Sequence, residues 1–344
     1  MDILAGIISV IVCLIGAGLA IAMGAVIPGI ERKVQARIQQ RIGPPILTPG
    51  FWSWLKFAYK WPIKPWTTIP RFYESIIALG VVIVIFTLLI TLPPFWGIIG
   101  VASVLGIAGL LKLEELIYVL AGSVSQSLLS VPFLRHDLAK GGTRLGFRRE
   151  YFEQQAAFRA LKMAAICSIP LYIALAVPFA AAKSPFIVDV ISIQNPTFFQ
   201  GGIFPLPSKP IFFTVPGFIA TIVYFAGYVM LLNEKPFSIV KPKVDIIEGV
   251  FLEYAAKYRT YMYMLIHIFT FVLSSIFVTL FLGIPLDPTK PALLALHLAL
   301  TLPLPVFKAV LAAFTPVLTF RQLYPASMGF TALAAFSLVL ALIL

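Results

Sequence analysis

The stretch ILAGIISVIVCLIGAGLAIAMGAVI, residues 3–27, runs almost directly into ERKVQARIQQRIGPP, Glu31–Pro45. No charged side chain occurs from Ile3 to Ile27. That is enough helix to cross the hydrocarbon core of a bilayer, which takes about 20 residues. The second stretch is a cationic run with an acid at its head. A span that ends in Lys and Arg reads as one that stops at the cytoplasmic surface. The apolar stretch is too long for a cleavable signal and lacks a basic leader, so it is expected to stay in the membrane.

The rest of the chain repeats this pattern. It has 344 residues, of which 60% are hydrophobic and 12% charged, with a mean hydropathy of +0.97. A soluble domain cannot bury that much apolar surface, so the bilayer is the expected solvent. Apolar runs predict about eight spans, near residues 3–27, 74–97, 112–134, 156–181, 211–232, 261–283, 292–318 and 325–344. Ile98–Leu111 is too short to span alone and is expected to extend or cap the second span. The basic residues sit in alternate loops, 28–73, 135–155, 233–260 and 319–324, and these are expected to face the cytoplasm, with both termini outside. The expectation is an all-α integral membrane protein with one polytopic domain, residues 1–344, and an amphipathic interfacial helix in the first cytoplasmic loop.

The formal charge of +12 would point to nucleic acid in a soluble protein. Here it points to anionic lipid and acidic partner subunits, with no nucleic acid. Cys13 and Cys167 lie in separate apolar runs and form no iron–sulfur or disulfide pattern. There is no Walker loop, no G-x-G-x-x-G and no H-E-x-x-H. No cofactor or metal is therefore expected in this chain. No internal repeat is visible, which weighs against the common inverted-repeat transporters.

At helical period Ile30, Val34, Ile38 and Ile42 share one face, while Lys33, Arg37 and Arg41 share another. Like charges spaced i,i+4 repel by about a few tenths of a kcal/mol per pair. The row is either an ordinary lipid anchor or the seat of something acidic. Glu31 at the boundary, the glutamines Gln35, Gln39 and Gln40, and the abrupt stop at RIGPP favour a protein partner.

ERKVQARIQQRIGP resembles the E-R-K-x-x-A-x-x-Q-x-R-x-G-P signature of complex I subunit 1, the H subunit of NADH:quinone oxidoreductases. The same family includes the corresponding membrane subunit of archaeal energy-converting hydrogenases and sulfur-reducing complexes. GFWSWLKFAYKWPIKP stands where the family has its interfacial helix. AAFRALKMAAICSIP, KPFSIVKPKVDIIEGVFLEYAAKYR and VFKAVLAAF resemble further family blocks. The resemblance implies a membrane-arm coupling subunit that docks a peripheral redox arm and links electron transfer to proton or sodium translocation. Implied partners are peripheral-arm iron–sulfur and hydrogenase-like large subunits and antiporter-like membrane subunits. Iron–sulfur clusters, and nickel–iron in a hydrogenase-type complex, would belong to those partners. Quinone is left open as a partner, and a stand-alone ion transporter or a structural anchor without an ion path remain the alternatives. The implied docking residues are Glu31, Arg32, Lys33, Arg37, Arg41, Asp245, Glu248, Glu253 and Tyr254.

Three family carboxylates are replaced here, by Ser168, Leu231 and His267, and an acidic loop becomes VKPKVD. A chain of glutamates through the middle of the subunit is therefore not expected. The remaining ion-path candidates are Lys308, His267, Glu253, Arg159, Glu114 and Glu115. Lys308 lies 13 residues before Arg321, about 20 Å of continuous helix, which predicts a mid-membrane position. It either pairs with a helix-end carbonyl near Pro303–Pro305 or answers to Glu253. Glu114 and Glu115 are expected to open the third span on its outer side. His267 and His297 each read as hydrogen-bonded to a neighbouring helix, with a titrating relay as the alternative at His267. Phe51, Trp52, Trp54, Phe57, Tyr59 and Trp61 read as an interfacial belt or as the rim of a tunnel.

Overall fold

The computed structural model describes residues 3–61, 66–67, 70–98, 101–126, 152–200, 205–240, 249–251 and 254–344. The described residues are almost entirely helical. The exception is a two-residue antiparallel pair, Trp66–Thr67 against Ser125–Gln126.

The helices are α1 Ile3–Ile38, α2 Ser53–Ala58, α3 Pro70–Leu89, α4 Val104–Val124, α5 Phe152–Lys162, α6 Ile169–Ala182, α7 Ile187–Gln194, α8 Val215–Leu231, α9 Ala256–Phe281, α10 Pro291–Thr301, α11 Pro303–Phe314 and α12 Phe320–Ile343. Five stretches are long and apolar enough to cross a membrane: Gly6–Ile38, Gln155–Ala182, Ala256–Phe281, Pro291–Phe314 and Arg321–Ile343. Ser75–Leu89 and Val215–Leu231 are shorter apolar helices. The 21-residue α4 is as long as a span but carries Lys112, Glu114 and Glu115 in its middle.

α9 is the hub. It packs on α1, α2 and α3, while α8 and α6 pack on α12. Its second half, Ile268–Phe281, is buried on every face. A helix apolar all round belongs inside a bundle. α1 shows the opposite: Ile7, Ile8, Val10, Ile11 and Leu14 are exposed, as expected of a helix at the edge of a membrane bundle.

The signature run forms the last part of α1. The helix closes in a Schellman turn: Arg41 N–H donates to the Ala36 carbonyl (2.7 Å) and Gln40 N–H to that of Arg37 (3.1 Å). Gln40 takes the left-handed conformation this turn requires, with φ 55°. The chain then doubles back along α1. A β-carbon on Gly29 would collide with the Ile46 carbonyl, and one on Gly50 with the Ala25 carbonyl. Those two glycines allow the backbones to touch, and they bring α2 onto α9.

The helix boundaries correct several expectations. α4 begins at Val104, so half of the "too short" stretch is its opening. Glu114 and Glu115 therefore lie in mid-helix, buried, and not at an outer helix start. Residues 156–181 form a broken span, α5 and α6, interrupted by a π turn at Met163–Cys167. The stretch 292–318 breaks at Leu302, where Pro303 and Pro305 open α11. α9 starts at Ala256, so Lys257 and Arg259, expected in a loop, are helical. The loop 183–210 contains the short helix α7. The expected interfacial helix is only the six residues of α2, preceded by a π turn at Thr48–Trp52.

Candidate functional site

Two ion pairs define the site, one enclosed and one whose lysine is partly exposed. In the first, Lys308 Nζ on α11 lies 2.8 Å from Glu31 Oε1 on α1. Lys308 is 4% exposed. The premise of the expected depth fails, because the chain between Lys308 and Arg321 is not one helix. α11 ends at Phe314, six residues on, and an extended segment follows. The ammonium's partner is the family-signature acid, and not a helix-end carbonyl. Burying two charges is costly, so the geometry has to be met by direct contact.

This pair forms part of the wall of a cleft of about 780 Å³, lined also by Arg32, Arg41, Glu234, His267 and Thr270. His267 is held by α2. Its Nδ1 accepts a hydrogen bond from Trp54 Nε1 at 3.2 Å, and the imidazole stacks between Trp54 and Tyr263. The reading of His267 as hydrogen-bonded to a neighbouring helix matches this geometry. The aromatic belt divides: Trp54 is buried, whereas Trp52, Tyr59 and Trp61 are exposed.

The second pair sits between α4 and the π turn. Lys112 Nζ donates to Glu115 Oε2 (2.8 Å), the Ala164 carbonyl (2.6 Å) and Ser168 Oγ (2.6 Å). An ammonium has three donors, and all three are used. The π turn makes this possible. Ser168 N–H bonds the Met163 carbonyl instead of that of Ala164, which leaves the Ala164 oxygen for Lys112. Pro170 has no N–H for the Ile166 carbonyl, and Ser327 Oγ on α12 donates to it instead at 3.1 Å. Tyr172 OH completes the site by donating to Glu115 Oε1 at 2.8 Å. Ser168, which stands where the family has an acid, therefore contacts a carboxylate supplied by the facing helix.

A chamber of about 20 Å³ adjoins this pair, lined by Glu114, Glu115, Tyr118, Ser168 and Asn233 among others. Asn233 is followed directly by Glu234, which lines the larger cleft. Acids thus line the cleft at Glu31 and Glu234 and the chamber at Glu114 and Glu115, although Leu231 and Ser168 are not acidic. Sequence reasoning missed Lys112 and Glu234. The i,i+3 spacing of Lys112 and Glu115 was the available signal for the first. Nothing in the sequence marked the second.

The expected docking residues separate. Arg32, Arg37 and Arg41 are exposed, Lys33 is half-buried, and Arg41 hydrogen-bonds Gln39. Glu31 faces inward to Lys308, and Tyr254 is 1% exposed within the core, so neither belongs to an outer surface. Asp245, Glu248 and Glu253 lie outside the described residues. Arg159 Nη1 donates to the Ile239 carbonyl at 3.3 Å and tethers α5 to the segment after α8. His297 is buried between Ser275 Oγ (2.8 Å) and the Ile284 carbonyl (2.7 Å), a structural role. Among the described residues no three His, Cys, Asp or Glu side chains are grouped as metal ligands.

Residues 150–344 match the family model described as NADH dehydrogenase. The chain belongs to that family, and it is a membrane subunit of a complex I-like respiratory complex. An uncharacterized protein of Methanocaldococcus jannaschii is 37% identical over 327 residues, 94% of this chain and 95% of that protein. A second protein of the same organism, provisionally described as an NADH-ubiquinone oxidoreductase, is 28% identical over 302 residues, 87% of this chain and 85% of its own. The fold matches a chain in the structure of the membrane-bound sulfane sulfur reductase, an archaeal respiratory membrane complex. The TM-score is 0.75 at 23% identity, over 96% of this chain and 98% of that one.

Proposed function

We propose that this chain docks the peripheral redox arm of its complex on the cytoplasmic side of the cell membrane and links electron transfer to proton or sodium movement. In this reading it crosses the membrane about eight times with both termini outside. Its partners are iron–sulfur and hydrogenase-like large subunits and antiporter-like membrane subunits. Redox centres, iron–sulfur and in a hydrogenase-type complex nickel–iron, belong to those partners and not to this chain. The sulfane sulfur reductase match brings a sulfur compound forward as the electron acceptor of the complex.

The observation that carries the reading is the position of Glu31. It lies in the family signature, pairs inside the protein with Lys308, and is flanked by Arg32, Arg37 and Arg41 on the surface. The end of α1 and its closing turn thus join an exposed cationic face to an enclosed ion pair. A charge change on that face is felt by Glu31 through the adjacent Arg32. The test is Arg37→Glu with Arg41→Glu. The expected result is loss of the peripheral arm at moderate salt, with the membrane subunit still folded. An arm that stays bound contradicts the docking assignment. A chain purified alone as a stable oligomer would favour the stand-alone transporter.

A further inference from the structure

The chamber between α4, the π turn and the end of α8 is rich in acceptors. Asn233 is 8% exposed, and its Oδ1 accepts no hydrogen bond. The amide cannot usefully turn round, because its Nδ2 donates to the Leu231 carbonyl at 3.3 Å. A buried amide oxygen without a partner is costly, so a bound species is called for. Lys112 cannot supply it, since its three donors are already committed. Glu114 faces the same space, and its carboxylate is hydrogen-bonded by Tyr118.

The backbone around the chamber favours positive charge as well. Leu231 ends α8, and the helix closes in a second Schellman turn: Glu234 N–H donates to the Val229 carbonyl (3.2 Å) and Asn233 N–H to that of Met230 (3.0 Å). Met230 and Leu231 line the chamber, which therefore lies at the negative end of a helix dipole. On the opposite wall is the interrupted turn of α5–α6. Helix C-terminal ends and unwound backbone are the features that coordinate sodium in broken-helix transporters. The volume, about 20 Å³, exceeds the roughly 10–15 Å³ that one water-sized occupant needs.

We propose that this chamber binds a single monovalent cation of sodium size, held by the Glu114 carboxylate and Asn233 Oδ1. The Lys112 ammonium neutralises Glu115, which leaves Glu114 as the anionic ligand. The proposal deepens the coupling reading by naming an ion and a site, and rests on that reading only for the use made of the ion.

The test is sodium-22 binding to the assembled, detergent-solubilised complex, measured at equilibrium by scintillation proximity, with the isosteric Glu114→Gln and with Asn233→Leu. The expected result is one fewer saturable sodium per complex in each variant, or an affinity lowered at least tenfold. Equal binding in parent and variants overturns the proposal. So does the absence of binding in all of them, which would leave a single water in the chamber. If Asn233→Leu prevents assembly, Glu114→Gln still decides. The measurement needs no turnover, so it can succeed where the docking test with Arg37→Glu and Arg41→Glu fails, and the reverse.

Discussion

Lys308 and Glu31 are worth more to each other than either is to the fold. Lys308 is buried and Glu31 largely so, and each loses solvation that the partner chiefly offsets. Lys308→Met alone leaves an acid enclosed without its cation. The expected cost is about 3–5 kcal/mol, the range for breaking one side of a buried pair. Glu31→Gln with Lys308→Met removes both charges while keeping shape, and should recover most of that loss. Thermal unfolding of the solubilised complex checks both arms, and a double variant no more stable than Lys308→Met would show that the pair is not coupled. The residue scale was also the least legible in the sequence. Lys308 was marked by its isolation in an apolar run, and Glu31 by the signature. Their pairing joins residues 277 positions apart, and no local pattern encodes it.

At the scale of elements, periodicity located most helices but not their interruptions. Ile98–Leu111 is too short to span alone and the third span is expected from residue 112, whereas α4 runs from Val104 through Lys112, Glu114 and Glu115 to Val124. Lys112, Glu114 and Glu115 lower the apolar signal at the place where α4 is buried against α5. Residues 156–181 read as one continuous span, and nothing in the pattern announced that the turn before Ser168 widens to release the Ala164 carbonyl. The expected stop occurs, but at Ile38, so Arg41 and Ile42 fall outside the helical faces expected of them. Its mechanism is a residue with a β-carbon held at φ 55°. A left-handed residue with a β-carbon costs about 1–2 kcal/mol. Gln40→Gly should therefore raise the unfolding midpoint of the complex by a few degrees. No change or a fall would mean that the Gln40 side chain makes contacts worth as much as the strain.

At the scale of the molecule, two separate cavities are lined by residues adjacent in sequence at the end of α8. The larger is bounded by the Glu31–Lys308 pair and by Glu234, and the smaller by Glu114, Glu115 and Asn233, the neighbour of Glu234 in sequence. The family's acids at the positions of Ser168 and Leu231 are gone, yet acids from α4 and from the end of α8 occupy the same neighbourhood. Loss of a motif residue is thus poor evidence for loss of a path when a facing helix can supply the charge. The class of the protein was legible in the sequence because a long mixed-chemistry signature and the span pattern agree. The two cavities were not, because their walls come from α1, α4, the end of α8 and α11, which only tertiary packing brings together.

The central claim is that this subunit couples redox chemistry to ion movement through the Glu31–Lys308 pair. Its most direct test is the assembled complex carrying Glu31→Gln and Lys308→Met in proteoliposomes, with electron transfer and ion uptake measured separately. The account predicts that the peripheral arm stays bound and electrons still flow, while ion uptake per electron falls at least tenfold. An unchanged ratio of ions to electrons would contradict it.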